Sequence, residues 1–146
     1  MTQDDAAAQA VFDLVDQVVR THGAFLAAGD RLGDADDLSA ARLLVLGALV
    51  DEPGSAAEVA RRRGLRRQSV RETLGRLERA GLVERAGRVD GRAERYRPTT
   101  AGSSAFSSTR SRLGTWALEI GSGVPTTELE QATAVLRRVA DASTAP

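Results

Sequence analysis

Residues 55–97 hold a series of starts and stops that few folds can satisfy. Ser55-Ala56-Ala57-Glu58 has the form of a capping box, in which the serine takes the N3 amide and the glutamate returns to the N-cap amide. The helix it opens is short, because Gly64 closes it two turns later. A longer helix is predicted over 66–80, with Val70, Leu74 and Leu77 at helical spacing and Gly81 where a left-handed residue ends a helix. Beyond Gly81 the period changes. Residues 82–86 and 93–97 are short extended runs on either side of the glycine-bearing tip 87–92, which predicts a two-stranded β-hairpin.

The flanks are helical. Over 5–28, Val11, Leu14, Val15, Val18, His22, Phe25 and Leu26 step by three and four, and Gly29 with the acidic run 34–37 is expected to end that helix. Ser39 is the predicted N-cap of a helix carrying Leu43, Leu44, Leu46 and Leu49, which Asp51-Glu52-Pro53-Gly54 stops. Pro98 ends the second strand, and Thr99 or Thr100 caps a long helix with Phe106, Leu113, Trp116, Ala117 and Ile120 on one side. Gly121-Ser122-Gly123 breaks it, and a last helix follows with Leu129, Ala132, Leu136 and Val139. The expected fold class is mainly α (α+β): a winged helix-turn-helix with a two-stranded β-wing. Helices at both ends of the chain have apolar stripes that a small core cannot cover, so a second copy of the chain is the expected cover.

Charge supports a particular use for this fold. The net charge is zero, yet residues 1–60 hold 11 Asp/Glu against 3 Arg, while 61–97 hold 13 Arg against 5 Asp/Glu. All 20 basic residues are arginine, so the clustering, not the residue type, is informative. On a helical wheel Val70, Leu74 and Leu77 fall within about 60° and must face the core. Gln68, Ser69, Glu72, Gly75, Arg76 and Arg79 lie opposite, with Arg67 and Arg71 on the flanks. Gln can bond an adenine edge and Arg a guanine edge, and a helix has the width of the DNA major groove. The basic hairpin is then a wing that reaches an adjacent minor groove. Glu72 is expected either to accept from a cytosine amino group or to orient a neighbouring arginine.

At this point the chain resembles a known family. Gly64-Leu65, Ser69-Val70, the run 77–85, Asp90-Gly91-Arg92 in the wing, and Pro98-Thr99-Thr100-Ala101-Gly102 are together similar to the signature of the MarR (multiple antibiotic resistance regulator) family. The resemblance covers nearly the whole chain as one domain, with 38–98 as the DNA-binding region and 5–28 and 100–142 as dimerisation helices. It implies a homodimeric regulator of transcription, a repressor, on an inverted-repeat site in double-stranded DNA, with control by a small aromatic ligand. The outward residues Arg66, Arg67, Gln68, Ser69, Arg71, Glu72 and Arg76 of the helix and Arg88, Asp90 and Arg92 of the wing are the expected DNA-binding residues; carried over by position from the family, Asp90 braces Arg92, which enters the minor groove. His22, Phe25, Arg42 and Trp116 mark the implied ligand pocket. Two departures stand out: Arg66 occupies the place of a Ser/Thr helix cap, and Pro98 that of an apolar residue.

Other classes are poorly supported. Without cysteine, and with His22 as the only histidine, there is no thiol redox centre, no His-rich metal site and no expected cofactor. No phosphate loop or His–carboxylate spacing suggests an enzyme. No apolar run reaches the roughly 20 residues needed to span a bilayer, and the acidic start 1–5 is unlike a secretory signal, so a soluble cytoplasmic protein is expected. Two rivals remain: a winged helix that binds a protein partner, and a DNA-binding winged helix of another family.

Overall fold

The computed structural model describes residues 2–144. Its elements run α1 (Gln3–Gly33), a 3-10 turn (Asp34–Asp36), α2 (Ala40–Asp51), β1 (Gly54–Ser55), α3 (Ala56–Arg63), α4 (Arg67–Arg79), β2 (Val83–Val89), β3 (Ala93–Pro98), α5 (Thr100–Gly121) and α6 (Thr126–Thr144). The expected order of helices and hairpin is present. The described residues form two compact units divided between Arg110 and Ser111, so the division falls within α5.

In the first unit the core gathers α2, α3, α4 and the base of the hairpin. Leu38, Val45, Leu46, Leu49, Val59, Val70, Leu74, Leu77 and Val83 are almost wholly buried. Ser39 caps α2 by accepting from the Arg42 amide, as its position predicts. Gly47 makes room for the ring of Phe106 from α5: a Cβ there would lie 2.9 Å from the ring. Thr109, fully buried, donates to the Asp36 carboxylate at 2.9 Å and ties α5 to the turn after α1.

Three expectations need correction. First, α1 continues past Gly29 to Gly33. Gly29 is not a stop but a point of close approach, since a Cβ on it would sit 2.9 Å from the Ala40 side chain. Asp30 then accepts from the Ala40 amide at 2.6 Å and locks α1 against the start of α2. Second, the sheet has three strands among the described residues, in the order β1-β3-β2. The two-residue β1 pairs antiparallel with β3, Gly54 opposite Tyr96 and Ser55 opposite Arg95. Third, β2 extends to Val89, with a register irregularity between Arg85 and Arg88 where Gly87 takes φ 95°. The hairpin tip therefore shrinks to Asp90-Gly91-Arg92, turning through φ 51° at Asp90 and 68° at Gly91.

The join between hairpin and α5 explains the 98–102 segment. Thr99 caps α5, its hydroxyl accepting from the Gly102 amide at 3.0 Å and donating to the Gly81 carbonyl at 2.7 Å. The Thr99 amide donates to the Leu82 carbonyl. A side chain on Gly102 would overlap that carbonyl, so only glycine lets α5 start this close to the base of β2.

In the second unit the end of α5 and α6 expose much of their apolar surface. Described residues of α6 include none that is buried, and Leu118 is 79% exposed. Leu129, Val135 and Leu136 are also exposed.

Candidate nucleic-acid interface

Local rules set the position of α4. Ser55 and Glu58 form both halves of the capping box: the Ser55 amide donates to Glu58 at 2.7 Å and the Glu58 amide to the Ser55 hydroxyl at 3.3 Å. The Ser55 backbone N–H, and secondarily the Ser55 side chain, hold the Glu58 carboxyl below the usual carboxylate range. Gly64 closes α3 in the left-handed region at φ 63°. Arg66 is extended at the N-cap of α4 and makes no side-chain cap, so α4 begins without the bond that serine or threonine would supply. At the other end Leu82 N–H donates to the Leu77 carbonyl and Gly81 N–H to that of Glu78, with Gly81 at φ 71°. This is the Schellman arrangement, and it delivers the chain directly into β2.

Between these stops α4 is held by its inner face. Val70, Leu74 and Leu77 are buried, and so is Thr73, whose hydroxyl donates to the Ser69 carbonyl at 2.9 Å. Arg67, Gln68, Ser69, Arg71, Glu72, Arg76 and Arg79 are exposed.

The arginines of 61–97 then divide into two groups. Arg62 donates to the Ala48 and Glu52 carbonyls, Arg63 pairs with Asp51, and Arg95 spans the Pro53 carbonyl and Glu58. Arg85 pairs with Glu78, Arg88 with Glu94 and Arg97 with Glu84. These six are tied to the fold. Among the described residues Arg61, Arg66, Arg67, Arg71, Arg76, Arg79 and Arg92 have no internal hydrogen bond or ion pair, and all are exposed. Five of the seven lie on α4 or at its cap, and Arg92 is at the hairpin tip.

Arg92 meets α4 across a concavity of about 370 Å³ lined by Ser55, Ala56, Ala57, Arg67, Arg71, Arg92, Ala93, Glu94 and Tyr96. Three free guanidiniums thus face the start of α3, a setting suited to an anionic oxygen. The Ser55, Glu94 and Tyr96 walls have no signal in the sequence. They meet here because β1 pairs with β3, and a two-residue strand has no periodicity to read.

Other predicted site residues fare differently. Arg88 is exposed, but its Nε donates to Glu94 at 3.3 Å. Asp90 and Arg92 share no hydrogen bond or ion pair, and Asp90 takes the left-handed conformation at φ 51° in the turn. Glu72 does not pair with an arginine; it accepts from Gln68 Nε2 at 3.3 Å. Of the four ligand-pocket residues, His22 and Phe25 are exposed on α1. Arg42 is held by the Asp37 carbonyl at 2.7 Å and its carboxylate at 3.2 Å. Trp116 is half-buried in the second unit. Among the described residues no group of three or more His, Asp or Glu could hold a metal ion, and no helix is long and apolar enough to cross a membrane.

A capped helix, a glycine turn, a docked basic helix and an adjoining hairpin define a winged helix-turn-helix protein. Residues 36–93 match the model of the MarR family. No curated protein matches the chain by sequence. Several solved structures share its fold. A MarR family transcription regulator is 22% identical with a TM-score of 0.78, covering 99% of this chain and 100% of its own. The transcriptional regulator MOSR of M. tuberculosis, solved in complex with DNA, is 21% identical with a TM-score of 0.76, over 90% of this chain and 98% of its own. PcaV of Streptomyces coelicolor, a transcriptional regulator solved with its natural ligand, is 26% identical with a TM-score of 0.71, over 89% and 91%. Over residues 36–93 the chain is similar to the MarR family, and along nearly its whole length it shares the winged-helix fold of these regulators.

Proposed function

We propose that the chain is a sequence-specific regulator of transcription, a repressor, that binds an inverted-repeat site in double-stranded DNA as a homodimer and is released by a small aromatic ligand. The observation that carries the DNA reading is the division of the arginines. Cations without internal partners concentrate on the outward face of α4 and at the wing tip, where they can neutralise phosphates and reach base edges. In this reading 38–98 is the DNA-binding region and α4 enters the major groove, with Arg66, Arg67, Gln68, Ser69, Arg71, Glu72 and Arg76 against DNA. Arg92, with Arg88 in a lesser part, approaches the flanking minor groove. The DNA bound by MOSR supports it. A protein-docking role for α4 is disfavoured, because its apolar residues Val70, Leu74 and Leu77 are all buried and its free face is polar.

The dimer reading rests on α1, α5 and α6. In α1, 31 residues long, only Ala28, Gly29 and Gly33 are buried, while Phe12 is 67% and Val19 65% exposed. A partner chain is the natural cover for so much apolar surface. The natural ligand of PcaV supports ligand control, for which His22, Phe25, Arg42 and Trp116 are the proposed contacts. The chain is assigned no catalytic role, in keeping with the transcription regulators it matches.

Fragmented genomic DNA from the source organism, incubated with the purified chain, tests the DNA reading. Retained fragments should share an inverted repeat with half-site centres about 10 bp apart, one helical turn; retention of random fragments only would reject it. Trp116, the single tryptophan, provides the ligand test. Its fluorescence should change with an aromatic ligand that also releases DNA, and release without that change would remove Trp116 from the pocket.

A further inference from the structure

Glu72 has an unusual place on α4. It is an exposed carboxylate on the free face, with Arg67, Arg71, Arg76 and Arg79 on the same helix, and no arginine pairs with it. The other acid of α4, Glu78, is half-buried and pairs with Arg85 at 2.9 Å. Glu72 instead accepts from Gln68 Nε2, one turn earlier, at 3.3 Å.

We infer that Glu72 is a positioning residue that sets the Gln68 carboxamide to read adenine. The inference rests on the reading of α4 as the helix that enters the major groove. A carboxamide has two donors on its nitrogen and an acceptor oxygen. One N–H is committed to Glu72, which leaves one N–H and the oxygen for DNA. The reversed amide would set its oxygen against the carboxylate, so the pairing decides which end faces which way. Adenine presents an N7 acceptor beside an N6 donor in the major groove, the complement of the remaining N–H and oxygen. Guanine presents two acceptors, N7 and O6, and its O6 would meet the Gln68 oxygen with no proton between them. The Glu72 charge meanwhile repels phosphate for every sequence alike. Glu72 therefore lowers general affinity while sharpening the choice of base.

Selection from randomised duplexes, followed by competition titrations of the selected site against its adenine-to-guanine variants, tests this with the full chain. The parent should prefer adenine by roughly ten-fold or more at one position in each half-site. Gln68→Ala should lose that preference. Glu72→Ala should reduce the adenine-to-guanine ratio several-fold while binding random duplex more tightly. Glu72→Gln has an amide oxygen that can still accept from Gln68, so it should keep the ratio yet show the same gain on random duplex. This split separates positioning from charge, and matched circular dichroism confirms that the helix is intact. Retained adenine preference in Gln68→Ala, or equal shifts on both duplexes in Glu72→Ala, would overturn the inference alone. A parent chain that selects no site would overturn it together with the DNA-binding reading.

Discussion

The division of the arginines predicts how each will act on salt dependence. Log affinity falls with log salt by about 0.9 for each phosphate neutralised, and a dimer places every residue against DNA twice. Arg92 is exposed, has no internal partner and faces Arg67 and Arg71 across the concavity. Arg92→Ala should therefore flatten the slope by about 2 units, and the triple Arg67, Arg71 and Arg92 alanine variant by about 5. Arg95 is the control. Its Nη2 lies 2.6 Å from the Pro53 carbonyl and its Nη1 3.4 Å from Glu58, so its charge is engaged in tying β3 to the residue before β1 and to α3. Arg95→Ala should leave the slope unchanged but cost about 1 kcal/mol of stability, a fall of roughly 2–4 °C in Tm for a domain of this size. Arg88 falls between the two, because DNA must compete with Glu94 for it at 3.3 Å. Anisotropy titrations of a labelled selected site between about 50 and 200 mM salt resolve these differences. If Arg92→Ala has the parent slope, or Arg95→Ala flattens it equally, the reasoning from internal pairing is wrong.

Other expectations follow from packing and caps. Replacing exposed Val15 and Val19 of α1 by Asp should convert a dimer to monomer or leave the chain insoluble; sedimentation of an unchanged dimer would refute the assigned face. Gly102→Ala should be destabilising by about 1–3 kcal/mol, because its Cβ would overlap the Leu82 carbonyl, and an unchanged melting curve would show that α5 can shift freely. The Glu58 carboxyl is depressed by its bond from Ser55, so the stability it contributes is present above the ordinary glutamate range and lost as pH falls through its lowered folded value. Urea midpoints of the parent and Glu58→Gln should thus differ at neutral pH and converge in acid, whereas a pH-independent gap would exclude this linkage.

Glycine shows what could be read in the sequence and what could not. Gly64 and Gly81 follow short apolar periods, and both sit at left-handed helix ends, φ 63° and 71°. Gly29 has the same local signature, but it lies within α1, because the demand on it comes from Ala40 in the next helix. A glycine serves either backbone conformation or close approach, and only the tertiary neighbour distinguishes them. The helices, caps and hairpin were legible because their determinants lie within a few residues. The third strand was not, since β1 has two residues and its partner Tyr96 lies far along the chain.

The same distinction governs the site. Counting charges located the basic block correctly but treated its 13 arginines as equivalent. Which of them are free depends on contacts as distant as Arg95 with Glu58, 37 residues apart. The acids of the block are unequal too: Glu78, Glu84 and Glu94 are engaged by Arg85, Arg97 and Arg88, on or beside the sheet. Pairing therefore cancels charge at the base of the wing and leaves it on α4 and at the tip. Local net charge locates such a region, but the cations left without partners mark the face proposed to meet DNA. On α4, where Glu72 accepts from Gln68 and pairs with no arginine, Arg67, Arg71, Arg76 and Arg79 all keep their guanidiniums free, and Glu72 is the one acid that offsets them on that face.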